Sequence, residues 1–496
     1  MKKLGFIFSI LALLTFVSCS AKNDGVNNSY APSGSITMDE SFGNMDNNEY
    51  LELLEKGFIE TSVNNKVNVS LDSSSAAYSN IRKQINNMHS IPSDAVNIEQ
   101  MLNYFNYSYV NDSNEQLKSF MEIAACPWNS DNYLLSLAVK AKEFTIENKV
   151  KNNFVFLLDV SGSMYSYDKL PLMIEAFKLL IDNLNDEDRI SIVTYAGTDK
   201  VLLDGGYGYE KTKLSAIISD LTASGSTAGS KGIKTAYELA QKHFIEGGNN
   251  RVFLATDGDF NVGISSTKGL EDFISEQRKT GIYLSLFGFG YGNLKSDKMD
   301  TLASCGNGNY YYIDSILEAQ KVFVNELGGT LQTVAKDAKV QVEFNPELVS
   351  KYRVIGYENK ILTDDEFNNS ETDAGEIGAG HTTVCLIEFA LNDSTYNETI
   401  PQTIAKCILR YKDVLDSEMN KEIINNATSI TTSPSHDFCF QAAVAEFGLI
   451  LRDSNFKGDA SLESIIDRLT NSDCINDIYK QEFLDLVNKY KNDYRN

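Results

Sequence analysis

One short segment carries the combination of side chains best suited to chemistry, Asp159-Val160-Ser161-Gly162-Ser163, and it follows a strongly apolar run. A carboxylate and two hydroxyls at alternate positions on a tight loop turn toward one point. These are hard oxygen donors, the kind that Mg²⁺ prefers. Because only one of the three donors is charged, such a site leaves coordination positions for water or for a ligand.

Two later segments offer further oxygen donors of the same kind. Gly225-Ser226-Thr227 presents a hydroxyl on a loop of small residues, and Thr256-Asp257-Gly258-Asp259 presents a carboxylate where another apolar run ends. The candidate ligands of Mg²⁺, or of another divalent cation, are Asp159, Ser161, Ser163, Thr227 and Asp257.

The segment from 152 to 330 has the pattern that would bring these donors together. Apolar runs predict buried strands, and they are Phe154–Leu158, Ile190–Tyr195, Val252–Ala255, Ile282–Phe287 and Tyr310–Ile313. Helical patterns such as Leu170–Leu184 and Gly232–Phe244 lie between them. Continuous apolar strands separated by helices predict an α/β fold with a doubly wound, mainly parallel sheet. Ligand sites in such folds lie at the carboxyl ends of the strands.

The two flanking segments have a different pattern, with few strands each. The strands predicted before and after the α/β segment are Val67–Leu71, Phe120–Ala124, Tyr133–Val139, Lys339–Phe344, Thr382–Leu391 and Ile404–Tyr411. Neither flank has enough strands to be stable or to close its edges alone. We therefore expect the flanks to pair into one β-rich domain around an inserted α/β domain, with helices of the C-terminal region packed on it.

The first residues have the features of an export signal. Lys2 and Lys3 precede an apolar run, Leu4–Val17, which is too short for a comfortable membrane span. The run ends at Ser18-Cys19, which resembles a bacterial lipobox although Phe16 departs from it, and the resemblance implies lipidation of Cys19. A segment rich in Asn, Ser, Gly and Asp follows and predicts a flexible tether. We expect a lipoprotein anchored to a membrane of the cell envelope, either periplasmic or exposed at the surface.

The domain organisation predicted from these patterns has six parts. They are a signal peptide at 1–19 with the lipobox-like Cys19, a tether at 20–49, an N-terminal flanking region at 50–151, the α/β domain at 152–330, a β-rich region at 331–430 and a helical region at 431–496.

The charge and the cysteines exclude several classes of function. Asp and Glu number 68 against 44 Lys and Arg, so the formal net charge is −24. An acidic chain repels nucleic acid, and the sequence contains no basic patch to offset this. Six cysteines besides Cys19 are scattered without the spacing of a zinc site, and we expect most of them to be small buried residues.

The donor pattern resembles a known family. Asp-x-Ser-x-Ser, a later loop Thr and Thr-Asp-Gly are similar to the metal-ion-dependent adhesion site of von Willebrand factor type A (VWA) domains. The resemblance implies that Ser161, Ser163 and Thr227 bind the metal through their hydroxyls, while Asp159 and Asp257 act largely through water. It also implies an unidentified protein partner that supplies an acidic side chain to the metal.

The likeness extends beyond the metal loop to the YfbK-like subgroup of bacterial VWA lipoproteins. The segments that carry it include Met101–Phe105, Ala255–Gly263, Phe287–Gly290, Gly306–Tyr310, Ile355–Asn359 and Asp373–His381. The similarity covers roughly Leu51 to Asp453. It implies the fold and the metal site more firmly than it implies a biological role.

Two alternative functions stay open from the sequence: a metal-assisted hydrolase that uses the same ion, and a structural envelope protein whose metal only stabilises a loop. Three other classes fit poorly. A haloacid-dehalogenase phosphotransferase needs a second Asp where Ser161 stands. An EF-hand needs Gly and Glu where Val262 and Lys268 stand. The glycines of Phe287–Asn293 lack the spacing of a dinucleotide loop.

Overall fold

The computed structural model describes residues 48–71, 74–143, 151–225, 231–258, 266–326, 333–392, 402–414 and 419–494. All of them belong to one compact unit, Asp46–Asn496. The predicted signal peptide, the predicted lipidation site at Cys19 and the candidate ligand Thr227 lie outside the described residues. Within the described ranges, no helix is long and apolar enough to cross a membrane.

The elements of the described chain alternate between strands and helices in its middle third. The strands are β1 (Ile59–Glu60), β2 (Lys66–Ser70), β3 (Leu117–Ala125), β4 (Tyr133–Ala141), β5 (Asn152–Asp159), β6 (Arg189–Ala196), β7 (Thr198–Tyr207), β8 (Asn249–Thr256), β9 (Ile282–Phe289), β10 (Tyr310–Ile313), β11 (Thr333–Phe344), β12 (Val349–Ile355), β13 (Ile361–Leu362), β14 (Gly375–Gly378), β15 (Thr382–Leu391), β16 (Ala405–Asp413) and β17 (Met419–Ala427). The α-helices are α1 (Ala76–Asn86), α2 (Ile98–Asn103), α3 (Leu170–Asp182), α4 (Lys211–Ser219), α5 (Gly232–Lys242), α6 (Thr267–Arg278), α7 (Ser296–Cys305), α8 (Ile316–Gln320), α9 (Asp364–Asn368), α10 (His436–Leu451), α11 (Leu462–Asn471) and α12 (Ile478–Tyr494).

The sheet of the α/β segment has the order β10-β9-β8-β5-β6-β7. Every neighbouring pair is parallel except β6 and β7, which are antiparallel. Strand β5, at the centre, is buried from Asn153 to Asp159 because helices cover both faces of the sheet. Helices α5, α6 and α7 pack on one face, and α3, α4 and α8 pack on the other. This confirms the predicted doubly wound α/β fold.

The segments before and after this insert form two antiparallel sheets. One has the order β1-β12-β15-β4-β3, and the other has the order β13-β2-β11-β16-β17, with β14 paired to β11. Strand β2 pairs with β11, and β4 pairs with β15, so each sheet joins strands from both sides of the insert. The inner faces of the two sheets share one apolar core. The prediction that the flanks form a single β-rich domain is confirmed.

The C-terminal helices pack against the outer face of one of these sheets. Helices α10, α11 and α12 share a hydrophobic core with α1 and α2 and with residues of β3, β4 and β15. Helix α10 is buried almost throughout, from Asp437 to Leu451, because neighbours surround it on all sides. The cysteines among the described residues are free thiols, and all are buried except Cys305, which ends α7 in the α/β insert.

A buried ionic cluster fastens the insert to the flanks. Arg82 of α1 donates hydrogen bonds to Asp314 at 2.5 Å and to Glu318 of α8 at 2.7 Å. The Tyr104 hydroxyl donates to the same Glu318 carboxylate at 2.8 Å. The third carboxylate, Glu482 of α12, lies 3.3 Å from Arg82. One arginine therefore joins the last helix of the insert to both flanking regions.

Candidate metal centre

The candidate ligands lie where the central strands end. Asp159 is the last residue of β5, and its side chain is fully buried. Its Oδ1 accepts a hydrogen bond from the Ser161 amide at 2.9 Å, and its Oδ2 accepts one from the Thr256 hydroxyl at 3.1 Å. Thr256 is the last residue of β8, the strand next to β5. The carboxylate thus holds together two adjacent strand ends.

The two serine hydroxyls converge. Ser161 Oγ and Ser163 Oγ are 3.0 Å apart, with Ser161 buried and Ser163 exposed. The pair therefore leads from the interior, beside Asp159, to the surface of the protein. Hydroxyls so close together can both reach one small cation.

The loop that precedes Thr227 also meets the metal loop. The Gly162 amide donates to the Gly225 carbonyl at 3.1 Å, and a Cβ at Gly162 would lie 3.2 Å from that same oxygen. Gly225 has a positive φ of 86°, a conformation that glycine adopts without strain. The structure therefore brings this loop to the site as far as Gly225, and Thr227 lies beyond the described residues.

Asp257 completes the described part of the site together with Lys169, which no sequence motif had indicated. Asp257 follows β8 directly, and its side chain is 0% exposed. The Lys169 ammonium donates to Asp257 Oδ2 at 2.8 Å and to the Ser163 carbonyl at 3.0 Å. Lys169 precedes α3, 88 residues before Asp257 in the chain, so neither spacing nor motif indicated the contact.

The electrostatics of the site suit a divalent cation. Burial raises the pKa of the Asp159 carboxyl to about 6, and the charge of Asp257 contributes to the rise, while the hydrogen bonds from Ser161 and Thr256 oppose it. Burial and the Asp159 charge also raise the pKa of the Tyr195 phenol well above its usual value. A cation held by these oxygens would offset the cost of burying the charges. The four described donors therefore fit Mg²⁺, with two carboxylates and two hydroxyls at one sheet edge.

The described residues contain no group of three or more His, Cys, Asp or Glu side chains placed to hold a metal. A centre at Asp159 consequently depends on the serine hydroxyls as well as on the carboxylates. Two of the histidines contact residues outside the metal loop: His243 Nε2 lies 2.6 Å from an Asp204 carboxylate oxygen, and the His89 ring stacks on Tyr291.

Known protein families match most of the chain. Residues 153–325 match the von Willebrand factor type A domain family, and residues 44–136 match a family described as von Willebrand factor. Residues 329–492 match the family described as the C-terminal part of the uncharacterized protein YfbK.

Two individual proteins and one solved structure are similar to this chain. The uncharacterized protein YfbK of Escherichia coli strain K12 is 39% identical over 418 residues, which are 80% of this chain and 72% of that protein. The uncharacterized protein sll0103 of Synechocystis is 28% identical over 191 residues, 38% of this chain and 44% of that protein. Among solved structures, a von Willebrand factor type A protein from Catenulispora acidiphila gives a TM-score of 0.42 at 16% identity and covers 77% of this chain and 91% of its own. With the identity to YfbK and its coverage of both chains, this chain belongs to the YfbK-like family of VWA-domain proteins.

Proposed function

We propose that this protein binds a partner protein at the cell envelope through a divalent cation held at the carboxyl edge of the central sheet. The observation that carries the proposal is the path of oxygen donors from the buried Asp159 carboxylate to the exposed Ser163 hydroxyl. A cation on this path would be anchored from inside and open to the outside. Asp159, Ser161, Ser163 and Asp257 would hold it, together with Thr227.

The bound metal would supply an electrophilic position for a carboxylate of the partner. The protein's own residues would supply the surrounding contact surface. Tyr165 and Tyr167 follow the metal loop directly, and they are 82% and 78% exposed. Exposed tyrosines at the centre of an interface often provide a large share of the binding energy. A partner that presents an acidic side chain beside apolar surface would match both features.

We favour binding over metal-assisted hydrolysis because of the charges and contacts around the site. A general base beside the nucleophilic water assists most metal-dependent hydrolysis. The described base candidates near the metal loop are already in ion pairs, since Lys169 pairs with the candidate ligand Asp257, and Asp168 pairs with Lys83 at 3.0 Å. Measurable turnover of a phosphate or acyl substrate that required the metal would support the hydrolase instead.

The test is a partner pull-down with and without chelator, followed by titration calorimetry with the captured partner. We expect Mg²⁺ to restore binding to the chelated wild type. Ser161→Ala and Thr227→Ala remove one neutral donor each and should weaken binding. Ser219→Ala is the control, because that exposed hydroxyl of α4 donates to the Ser215 carbonyl of the same helix. Equal partner affinity with and without chelator would falsify the adhesion-site mechanism.

We further propose that Cys19 carries a lipid that anchors the protein to a membrane. The proposal rests on the signal-like first residues and the Ser18-Cys19 junction. Cys19→Ala should move the protein from the membrane fraction to the soluble fraction. If the variant stays with membranes after a high-salt wash, the anchor is not at Cys19.

A further inference from the structure

The candidate metal centre contains a cation of its own, the ammonium group of Lys169. Its nitrogen lies 2.8 Å from Asp257 Oδ2 and 3.0 Å from the Ser163 carbonyl oxygen. The Lys169 side chain is 12% exposed, and that of Asp257 is 0% exposed. Lysine side chains are rarely buried to this extent without a specific partner.

The backbone leaves space for this lysine. Gly290, in the loop after β9, has a positive φ of 77°. A Cβ at Gly290 would overlap the aliphatic carbons of Lys169. A glycine at this position therefore lets the lysine stem pass between the loop and the sheet edge, so that the ammonium reaches the ligands.

The segment that carries Lys169 is fixed from the flanking region. The Lys169 amide donates to the Ser166 carbonyl at 3.0 Å. The neighbouring Asp168 accepts hydrogen bonds from the Ser166 hydroxyl at 2.6 Å and from Lys83 of α1 at 3.0 Å. These contacts hold the start of α3 in place, so Lys169 is directed into the site rather than into solvent.

We propose that Lys169 is an internal counter-charge that lowers the affinity of the site for its divalent cation and keeps the bound ion electrophilic. The inference rests on the proposed metal site. A positive charge within hydrogen-bond distance of one ligand carboxylate repels an incoming cation and neutralises part of the charge that attracts it. A metal with fewer effective negative ligands is a stronger acceptor for a carboxylate of a partner.

The test measures metal affinity alone, by isothermal titration of the full chain with Mg²⁺ and with Mn²⁺ after chelator treatment. Lys169→Met keeps the aliphatic stem and removes the charge, and we expect at least tenfold tighter binding of both ions. Lys169→Gln, which is neutral but can still donate to Ser163, should behave similarly. Lys169→Arg keeps the charge and should stay within about threefold of the wild type, a difference of about 0.7 kcal/mol.

The matched control is Lys178→Met, which removes the same charge from α3. Lys178 pairs with Glu175 at the surface and lies about 13 Å along the helix from Lys169. This control should leave the metal affinity unchanged. An equal gain in Lys178→Met would show that net charge, and not the position of Lys169, sets the affinity, and it would overturn the inference.

The remaining outcomes separate this inference from the proposed function. Metal binding in the wild type with equal or weaker affinity in both neutral Lys169 variants would refute the role of Lys169 and leave the metal site intact. Binding only in the neutral variants would support the counter-charge and contradict metal-dependent function in the wild type. If neither the wild type nor the variants bind metal, both proposals are wrong. Circular dichroism on each variant establishes that it is folded.

Discussion

Replacing Asp159 by Asn should stabilise the metal-free protein, although the side chain is a candidate ligand. Burial raises the pKa of this carboxyl from its ordinary 3.8 to about 6. Between these values the native state keeps a proton that the unfolded state has lost, so stability falls as the pH rises through this window. Each pKa unit corresponds to about 1.4 kcal/mol, so the ionised carboxylate costs the metal-free native state about 3 kcal/mol at neutral pH.

Asparagine avoids that cost and keeps the local geometry. Its carbonyl oxygen can accept from the Ser161 amide, and its amino group can donate to the Thr256 hydroxyl. In chelator at pH 7.5, we expect the free energy of unfolding of Asp159→Asn to exceed that of the wild type by up to about 3 kcal/mol. Near pH 4, where the wild-type carboxyl is protonated in the native state and partly protonated in the unfolded state, the difference should fall to about 0.6 kcal/mol.

The assay is urea denaturation of both proteins in chelator across pH 4 to 8, repeated in Mg²⁺. A saturating ligand at a hundred times its dissociation constant adds about 2.7 kcal/mol, and only the wild type should gain it. Asp257→Asn is the matched control from the same site. It leaves the Lys169 ammonium without its carboxylate and should cost about 1 to 3 kcal/mol. The reasoning is refuted if Asp159→Asn is less stable than the wild type at pH 7.5, or if their difference does not change with pH.

Three further predictions concern the framework. Arg82→Met leaves the carboxylates of Asp314 and Glu318 buried without their arginine, and it should lower the free energy of unfolding by about 3 to 5 kcal/mol in urea denaturation. Gly308→Ala places a Cβ onto the Leu284 carbonyl oxygen, and a melting curve should show about 1 to 3 kcal/mol of destabilisation. A chain that ends at Thr330 lacks β11, which pairs with β2, and β15, which pairs with β4, and it should misfold and aggregate. The segment 152–330 alone should give a soluble, cooperatively folded domain. Full solubility and cooperative unfolding of the longer fragment would argue against shared strands.

Burial determines which strands the sequence predicts. Strands β5, β8 and β9 are covered on both faces, so they appear in the sequence as continuous apolar runs and were predicted from them. Strand β7 carries polar residues and leaves Val201 42% exposed, since it lies at the sheet edge. Strand β17 is also an edge strand with few buried residues. Neither has an apolar pattern, and both escaped prediction.

At the metal loop, the sequence predicts the residues of the short motif but not the contacts between residues far apart in the chain. Asp159, Ser161 and Ser163 form a short motif, so the sequence alone places their side chains on one turn. Lys169 joins the site through Asp257, and Thr256 joins it through Asp159 across 97 residues. Contacts of this length depend on how the strands are ordered in the sheet. A lysine before a helix carries no signal of its own that distinguishes it from a surface residue.

The pairing of β2 with β11 imposes an order on folding. The Gln341 side chain donates to Asn68 across 273 residues of sequence, and the strands that carry them are neighbours in the sheet. Contacts so distant in sequence form slowly, whereas those of the α/β insert are more local. We therefore expect the insert to fold early, while the N-terminal strands keep unpaired edges until the last third of the chain has been released. In that interval the N-terminal flank is the part of the molecule most prone to aggregation. Until the chain is complete, its unpaired strand edges can be protected only by a factor that binds the growing polypeptide.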